Sequence, residues 1–124
     1  MKTANLTMRI CLKRKRIILA RTAIKALGCP THLSFWYDES NHLLIFTPAD
    51  KDELDAYEIP KYFWNDTNQI CEISRIAFLK ALQYRIGWED GSKYLFQGTL
   101  TESNSVPAVM FYMDKGSRTQ LSEN

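Results

Sequence analysis

The order of secondary-structure signals constrains this chain of 124 residues more than any single motif does. Twice, an apolar strand-like run precedes a short amphipathic segment ending in glycine, and two β-rich runs separated by a turn follow. The first set is RIILA, TAIKALG and the pair LSFWY/HLLIFT, and the second is QICEI, RIAFLKALQYRIG and the pair YLFQGTL/VPAVMFYM. The sequence therefore predicts strand, helix and hairpin, in that order, in each half of the chain.

The two predicted helices also share a short match in sequence, AIKAL at residues 23–27 and FLKAL at residues 78–82. Both end at a glycine, Gly28 and Gly87, the residue that most readily adopts the left-handed conformation at a helix C-terminus. The second helix is predicted to be about one turn longer, with apolar side chains at helical spacing. These features indicate an internal repeat.

The repeat predicts how the chain is divided. A half of about 45 residues buries too little apolar surface to be stable alone, so we expect the two halves to pack together. The predicted divisions are a first half with a basic turn over residues 1–48, an acidic linker over 49–61, a second half over 62–114 and a frayed tail over 115–124. The predicted fold class is α+β, as a β-rich tandem of strand-helix-hairpin halves related by a pseudo-two-fold axis. If the repeat is accidental, the expectation is a single α+β domain with one central sheet.

Charge is distributed unevenly along the chain, although its formal net value is only +2. Residues 1–30 contain eight Lys or Arg and no acid, whereas residues 31–60 contain seven acids and one Lys. A basic end followed by an acidic middle indicates either a surface for a polyanion or complementary docking surfaces between two chains. A solvated turn that serves only solubility is the third interpretation of the KRKR cluster.

The stretch RIILARTAIKALGCPTHLSFWYDESNHLLIF resembles the swapped-hairpin DNA-binding domains of the AbrB/SpoVT type. Two copies in one chain look like the tandem arrangement of MraZ-type regulators. The resemblance implies a β-rich body of interlocked halves, in which basic residues of the N-terminal strands and turn contact DNA. The positions that match are Arg9, Lys13, Arg14, Lys15, Arg16 and Arg21.

The chain departs from the family pattern in three places. Pro30, Thr31 and His32 stand where family members often have Gly-Asp before the following strand. Leu19, Ala20 and Arg21 stand where family members usually have proline between strand and helix. The second half has NDTNQ, residues 65–69, in place of a basic turn. If DNA is bound, we therefore expect one half to bind it and the other to be its structural partner.

The sequence gives little support for an enzyme. It contains no phosphate-binding loop, dinucleotide fingerprint or nucleophile elbow. His32 and His42 are the only histidines, and no nucleophile or acid is positioned beside them in sequence. The acidic run 50–55 lacks the glycine and terminal Glu of an EF-hand loop. We expect no catalytic residue, no metal, no cofactor and no small-molecule substrate.

Other features predict the compartment and the core. The scattered cysteines Cys11, Cys29 and Cys71 indicate reduced thiols, mostly buried. The start of the chain has no apolar signal segment and no apolar run reaches membrane-spanning length, so the prediction is a cytoplasmic protein without membrane contact. The aromatic runs 35–37 and 62–64 are expected to fill the core, although exposed aromatics beside cations also suit base stacking.

The predicted function is that of a small DNA-binding transcriptional regulator, acting as a homodimer through its basic N-terminal β-turn. The alternative is a non-enzymatic protein-interaction or self-association module, in which the basic and acidic stretches dock on each other.

Overall fold

Two antiparallel sheets and two helices make up the part of the chain that the computed structural model describes, residues 6–64, 70–115 and 117–119. In chain order the elements are β1 (Thr7–Cys11), β2 (Arg16–Ala20), α1 (Arg21–Ala26), β3 (His32–Asp38), β4 (Leu43–Ala49), β5 (Tyr57–Glu58), β6 (Ile70–Ile73), α2 (Ile76–Ile86), β7 (Lys93–Gln97), β8 (Thr99–Ser103), β9 (Val106–Tyr112) and β10 (Ser117–Thr119). Short 3₁₀ turns form at Lys61–Trp64 and Met113–Lys115. The α+β class is confirmed, and the alternative of one central sheet is wrong.

The first sheet has the strand order β10-β7-β1-β2-β6, and the second has the order β5-β3-β4-β9-β8. Alternation of side chains along each strand turns one face of each sheet inward. In β2, for example, Ile17 and Leu19 are buried while Arg16, Ile18 and Ala20 are half-buried. Because both inward faces are apolar, the sheets share a single core.

The helices close this core. Ile24 and Leu27, at the end of α1, and Leu79 and Leu82 of α2 are almost fully buried in the cluster that also contains the inward residues of both sheets. As predicted, Gly87 ends α2 in the left-handed conformation, with φ +87°. Ile76, which the helical spacing of apolar residues places on the inward face of α2, is instead 48% exposed because it lies in the first turn, at the margin of the core.

Both sheets combine strands from the two predicted halves. In the first sheet β2 pairs antiparallel with β6, from Ile17↔Ile73 to Ala20↔Ile70, and β1 pairs with β7. In the second sheet β4 pairs antiparallel with β9, from Leu43↔Tyr112 to Phe46↔Val109. Neither half therefore has a sheet of its own.

The run YLFQGTL, predicted as one strand, is divided between the two sheets. β7 pairs with β1 in the first sheet, β8 pairs with β9 in the second, and Gly98 lies between them. A Cβ at Gly98 would lie 2.6 Å from Cε2 of Phe111, so the crossing brings the backbone against a buried aromatic ring. The absence of a side chain is what permits this close approach.

The segments predicted as a linker and a frayed tail both contribute strands. Within residues 49–61, Tyr57–Glu58 form β5 and pair with Leu33 and His32, and Ile59 is buried. Within residues 115–124, Ser117–Thr119 form β10 on the edge of the first sheet. The segment NDTNQ, residues 65–69, which stands in place of a basic turn in the second half, lies outside the described residues, as do residues 1–5, Gly116 and residues 120–124.

Two arginines at the helix starts each bind the backbone of a segment that is distant in sequence. Arg21 donates a hydrogen bond from Nη1 to the Phe63 carbonyl at 3.0 Å, and its guanidinium lies 4.6 Å from the centre of the Phe63 ring. Arg75 donates from Nη2 to the Asp55 and Ala56 carbonyls, both at 3.3 Å, and stacks over Tyr57 at 5.3 Å. Each combines charge-assisted hydrogen bonds with a cation–π contact.

Replacing Gly98 with alanine tests the crossing between the sheets. We expect Gly98→Ala to lower the free energy of unfolding by about 1–3 kcal/mol, because the added methyl group overpacks a core that already contains Phe111. Urea denaturation measures the change, with Gln97→Ala as a control at the exposed neighbouring position. Equal stability of the Gly98→Ala variant and the wild type would contradict the close approach.

Candidate nucleic-acid interface

Four consecutive cations, Lys13 to Arg16, are called the basic turn below: the first three lie at the hairpin tip between β1 and β2, and Arg16 begins β2. The tip is closed by a hydrogen bond from the Lys15 amide to the Leu12 carbonyl at 3.3 Å. Lys15 has φ +56°, a left-handed conformation that costs a non-glycine residue roughly 1–2 kcal/mol. Its Nζ donates to the same Leu12 carbonyl at 3.0 Å, which helps hold this conformation.

Arg16 supports the turn from inside. Its Nη1 donates to the carbonyls of Arg14 at 3.1 Å and Lys15 at 3.2 Å. Lys15 and Arg16 are half-buried, whereas Lys13 and Arg14 are exposed. The basic turn therefore contains two cations that hold its backbone and two that extend into solvent.

An acid that sequence reasoning did not associate with the turn lies beside it. Glu72 of β6 approaches Nη2 of Arg14 at 3.7 Å and Nε of Arg16 at 3.8 Å through its Oε1. The side chains are partly exposed at these long distances, so the pairs contribute at most about 1 kcal/mol to stability. Their main consequence is electrostatic, because Glu72 lowers the positive potential at one side of the turn.

Arg9 lies on the outward face of the same sheet. It is exposed on β1 and faces Ile18 on one neighbouring strand and Leu95 on the other. Ile18 in turn pairs with Glu72, so Arg9 and Glu72 belong to one outward row across the sheet. The outward position of Arg9 could be predicted from the alternation of side chains along β1. The residues that share its row on β6 and β7 could not be predicted.

Arg21, the last of the predicted contact residues, is not brought together with the others. It follows the far end of β2, whose five residues span about 16 Å from the basic turn. Its guanidinium is engaged by the Phe63 carbonyl and ring. The position therefore has a structural role in the body of the protein.

Asp55, at the end of the acidic stretch over residues 50–55, lies away from the basic turn. The carbonyl of Asp55 is held by Arg75 at the N-terminal end of α2. Lys15, by contrast, lines a cleft with Gly87 and Trp88 at the C-terminal end of the same helix. The eleven residues of α2 separate the two ends by about 16 Å. Within the described part of one chain, Asp55 therefore does not neutralise the turn.

The two histidines and the residues of the two aromatic runs differ in how deeply they are buried. His32 is half-buried, with Nδ1 at 2.8 Å from the Thr31 hydroxyl, and His42 is exposed. Phe35 packs on the core and Phe63 is 1% exposed, whereas Trp36 and Tyr62 are 46% and 59% exposed. In the part of the chain that the structure describes, no group of three or more His, Cys, Asp or Glu side chains is arranged to hold a metal ion.

The comparisons with known proteins found no match among family models, curated proteins or solved structures. The resemblance to AbrB/SpoVT-type domains thus depends on the sequence pattern alone. Among the helices in the described ranges, neither α1 nor α2 has the length and apolar character needed to cross a membrane.

The three cysteines differ in accessibility. Cys29 is exposed, whereas Cys11 and Cys71 are buried. Burial, together with the nearby charge of Glu72, raises the pKa of the Cys71 thiol from 9.0 to about 11. Because the thiolate is the reactive form, Cys71 is both shielded and protonated at neutral pH.

We therefore expect one fast-reacting thiol in the folded protein at pH 8 and three after denaturation, measured with a chromogenic thiol reagent. Cys29→Ser should remove the fast phase. Since the folded pKa of Cys71 lies above its ordinary value, its contribution to stability should persist up to about pH 9 and be lost as pH rises towards 11. A fast phase that survives in Cys29→Ser would contradict this arrangement.

Proposed function

We propose that this chain is a small DNA-binding regulator that contacts the phosphate backbone through its basic turn. The observation that supports this proposal is that the four cations of the basic turn have two different roles. Lys15 and Arg16 fix the backbone through carbonyl contacts, and Lys13 and Arg14 extend into solvent from a held position. A two-stranded ribbon of this kind fits the major groove of a duplex.

The chemistry of the two exposed cations suits this role. Arg14 has a planar guanidinium that can donate two parallel hydrogen bonds to a phosphate or a guanine edge, whereas Lys13 acts as a point charge. Neutralising phosphates releases counterions, which makes such binding dependent on salt. Arg9, on the outward face of the same sheet, extends the positive surface along β1.

The pairing of the strands supports the finer proposal of a swapped-hairpin tandem. The strands that correspond in the two halves, β2 with β6 and β4 with β9, are antiparallel neighbours. Antiparallel pairing of corresponding strands is what a pseudo-two-fold axis between the halves requires. Because only the first half carries a basic turn, two chains are needed to present two turns to a symmetric site, which favours a homodimer.

The second candidate function, self-association, is favoured by the outward face of the second sheet. Trp36, Ile45 and Met110 lie side by side there, on three adjacent strands. β4 and β9 contain no Asp, Glu, Lys or Arg. A second copy of this chain can cover such a face without burying an unpaired charge, so the same surface also provides the dimer contact of the proposed regulator.

Charge reversal at the tip tests the first proposal. Lys13→Glu/Arg14→Glu should weaken binding to a labelled random duplex by at least tenfold and lower the slope of log affinity against log salt by about 1.8, which corresponds to two phosphate contacts. Fluorescence anisotropy at several salt concentrations measures both quantities. The matched control is Lys51→Glu/Lys61→Glu, which reverses two exposed lysines outside the turn.

A third variant, Glu72→Gln, should bind the duplex more tightly than the wild type, because it removes the negative charge beside Arg14. If the two double variants bind equally, or if the wild type shows no binding at low salt, the basic turn is not a nucleic-acid surface.

A charge on the apolar face tests self-association. Ile45→Glu should convert a dimer to a monomer in sedimentation velocity, because a dimer formed through this face would bury the carboxylate without a partner. Leu95→Glu is the control, since Leu95 is a similar apolar residue on the outward face of the other sheet. A wild type that stays monomeric at its highest attainable concentration would rule out this interface.

A further inference from the structure

A cleft of about 560 Å³ opens between the basic turn and the C-terminal part of α2. Its lining combines cations, aromatic rings and polar groups that come from three parts of the chain: Lys15, Lys80, Gln83, Tyr84, Trp88 and Asp90. The volume lies in the usual range for sites that hold a small ligand or one unit of a polymer. The cleft adjoins the basic turn because Lys15 belongs to both.

One stripe of α2 forms a wall of the cleft. Lys80, Gln83, Tyr84 and Gly87 follow the spacing i, i+3, i+4, i+7, which places them on one side of the helix. Tyr84 is 88% exposed, so its ring contributes little to the core. At Gly87, nothing lies within 4 Å of the place where a Cβ would stand, which leaves this side of the cleft open.

The other wall is held in place by its own contacts. Trp88 stacks on Tyr94 with ring centroids 4.7 Å apart and planes at 20°. Gln83 donates from Nε2 to Oδ1 of Asp90 at 2.7 Å and to the Trp88 carbonyl at 3.2 Å. The aromatic and carboxylate groups of the loop are thereby fixed relative to α2.

We propose that this cleft binds one unpaired nucleotide of a nucleic-acid strand. Tyr84 and Trp88 supply aromatic surfaces for the base, and the ammonium groups of Lys15 and Lys80 supply charge for its phosphate. Asp90 repels phosphate and accepts hydrogen bonds from exocyclic amino groups, so the base of the bound nucleotide, and not its phosphate, lies next to Asp90. The inference deepens the proposed function and depends on it, because the strand reaches the cleft from the basic turn.

The test compares a labelled 12-nucleotide single strand with a blunt duplex of the same sequence. Tyr84→Ala should weaken single-strand binding by about tenfold, the usual loss of one stacked base, and leave duplex binding unchanged. Lys80→Ala should lower the single-strand salt slope by about 0.7, equal to one phosphate. Both residues are exposed, so neither change threatens the fold.

Tyr62→Ala and Lys61→Ala are the matched controls, because both residues are exposed and neither lines the cleft. Single-strand binding that is the same in Tyr84→Ala and the wild type would overturn the cleft proposal, even if the duplex still binds through the turn. Single-strand binding that depends on Tyr84, with no duplex binding, would overturn the regulator and retain the cleft. No binding of either probe would overturn both.

Discussion

The antiparallel pairing of strands from the two halves is the constraint on which the rest of the structure depends. β2 meets β6 in one sheet and β4 meets β9 in the other, so the common core exists only when both halves are in place. The same pairing places Glu72 beside the basic turn and brings β1 next to β7, which leads back to α2 and the cleft. The candidate site is thus assembled from segments distant in sequence by the contacts that stabilise the fold.

Electrostatics then divides the molecule into two unlike faces. The first sheet carries the basic turn and Arg9 on its outward side, with Glu72 as a local counter-charge. The second sheet has an outward row of apolar side chains at its centre. Two of the strands in that row, β4 and β9, contain no charged residue. A dimer formed through the apolar face would leave both basic turns accessible, so the two proposed functions are compatible in one assembly.

Much of the fold could be predicted because alternation and helix periodicity are local signals. The β1–β2 hairpin, the β3–β4 hairpin and the end of α2 at Gly87 follow directly from such patterns. The change of sheet at Gly98 could not be predicted, since YLFQGTL has the pattern of one continuous strand and the close approach of Gly98 to Phe111 is a tertiary contact. For the site, the turn could be located, but the proximity of Glu72 and the engagement of Arg21 by Phe63 depend on tertiary contacts that leave no local pattern.

In the proposed function, the basic turn is the surface that meets nucleic acid. The most direct measurement is a titration of ¹⁵N-labelled protein with a short duplex, followed by two-dimensional NMR. The account predicts chemical-shift changes centred on Leu12 to Arg16, with Arg9 and Glu72 at their margin. Changes centred on the acidic stretch or the outward face of the second sheet, or no change at low salt, would contradict it.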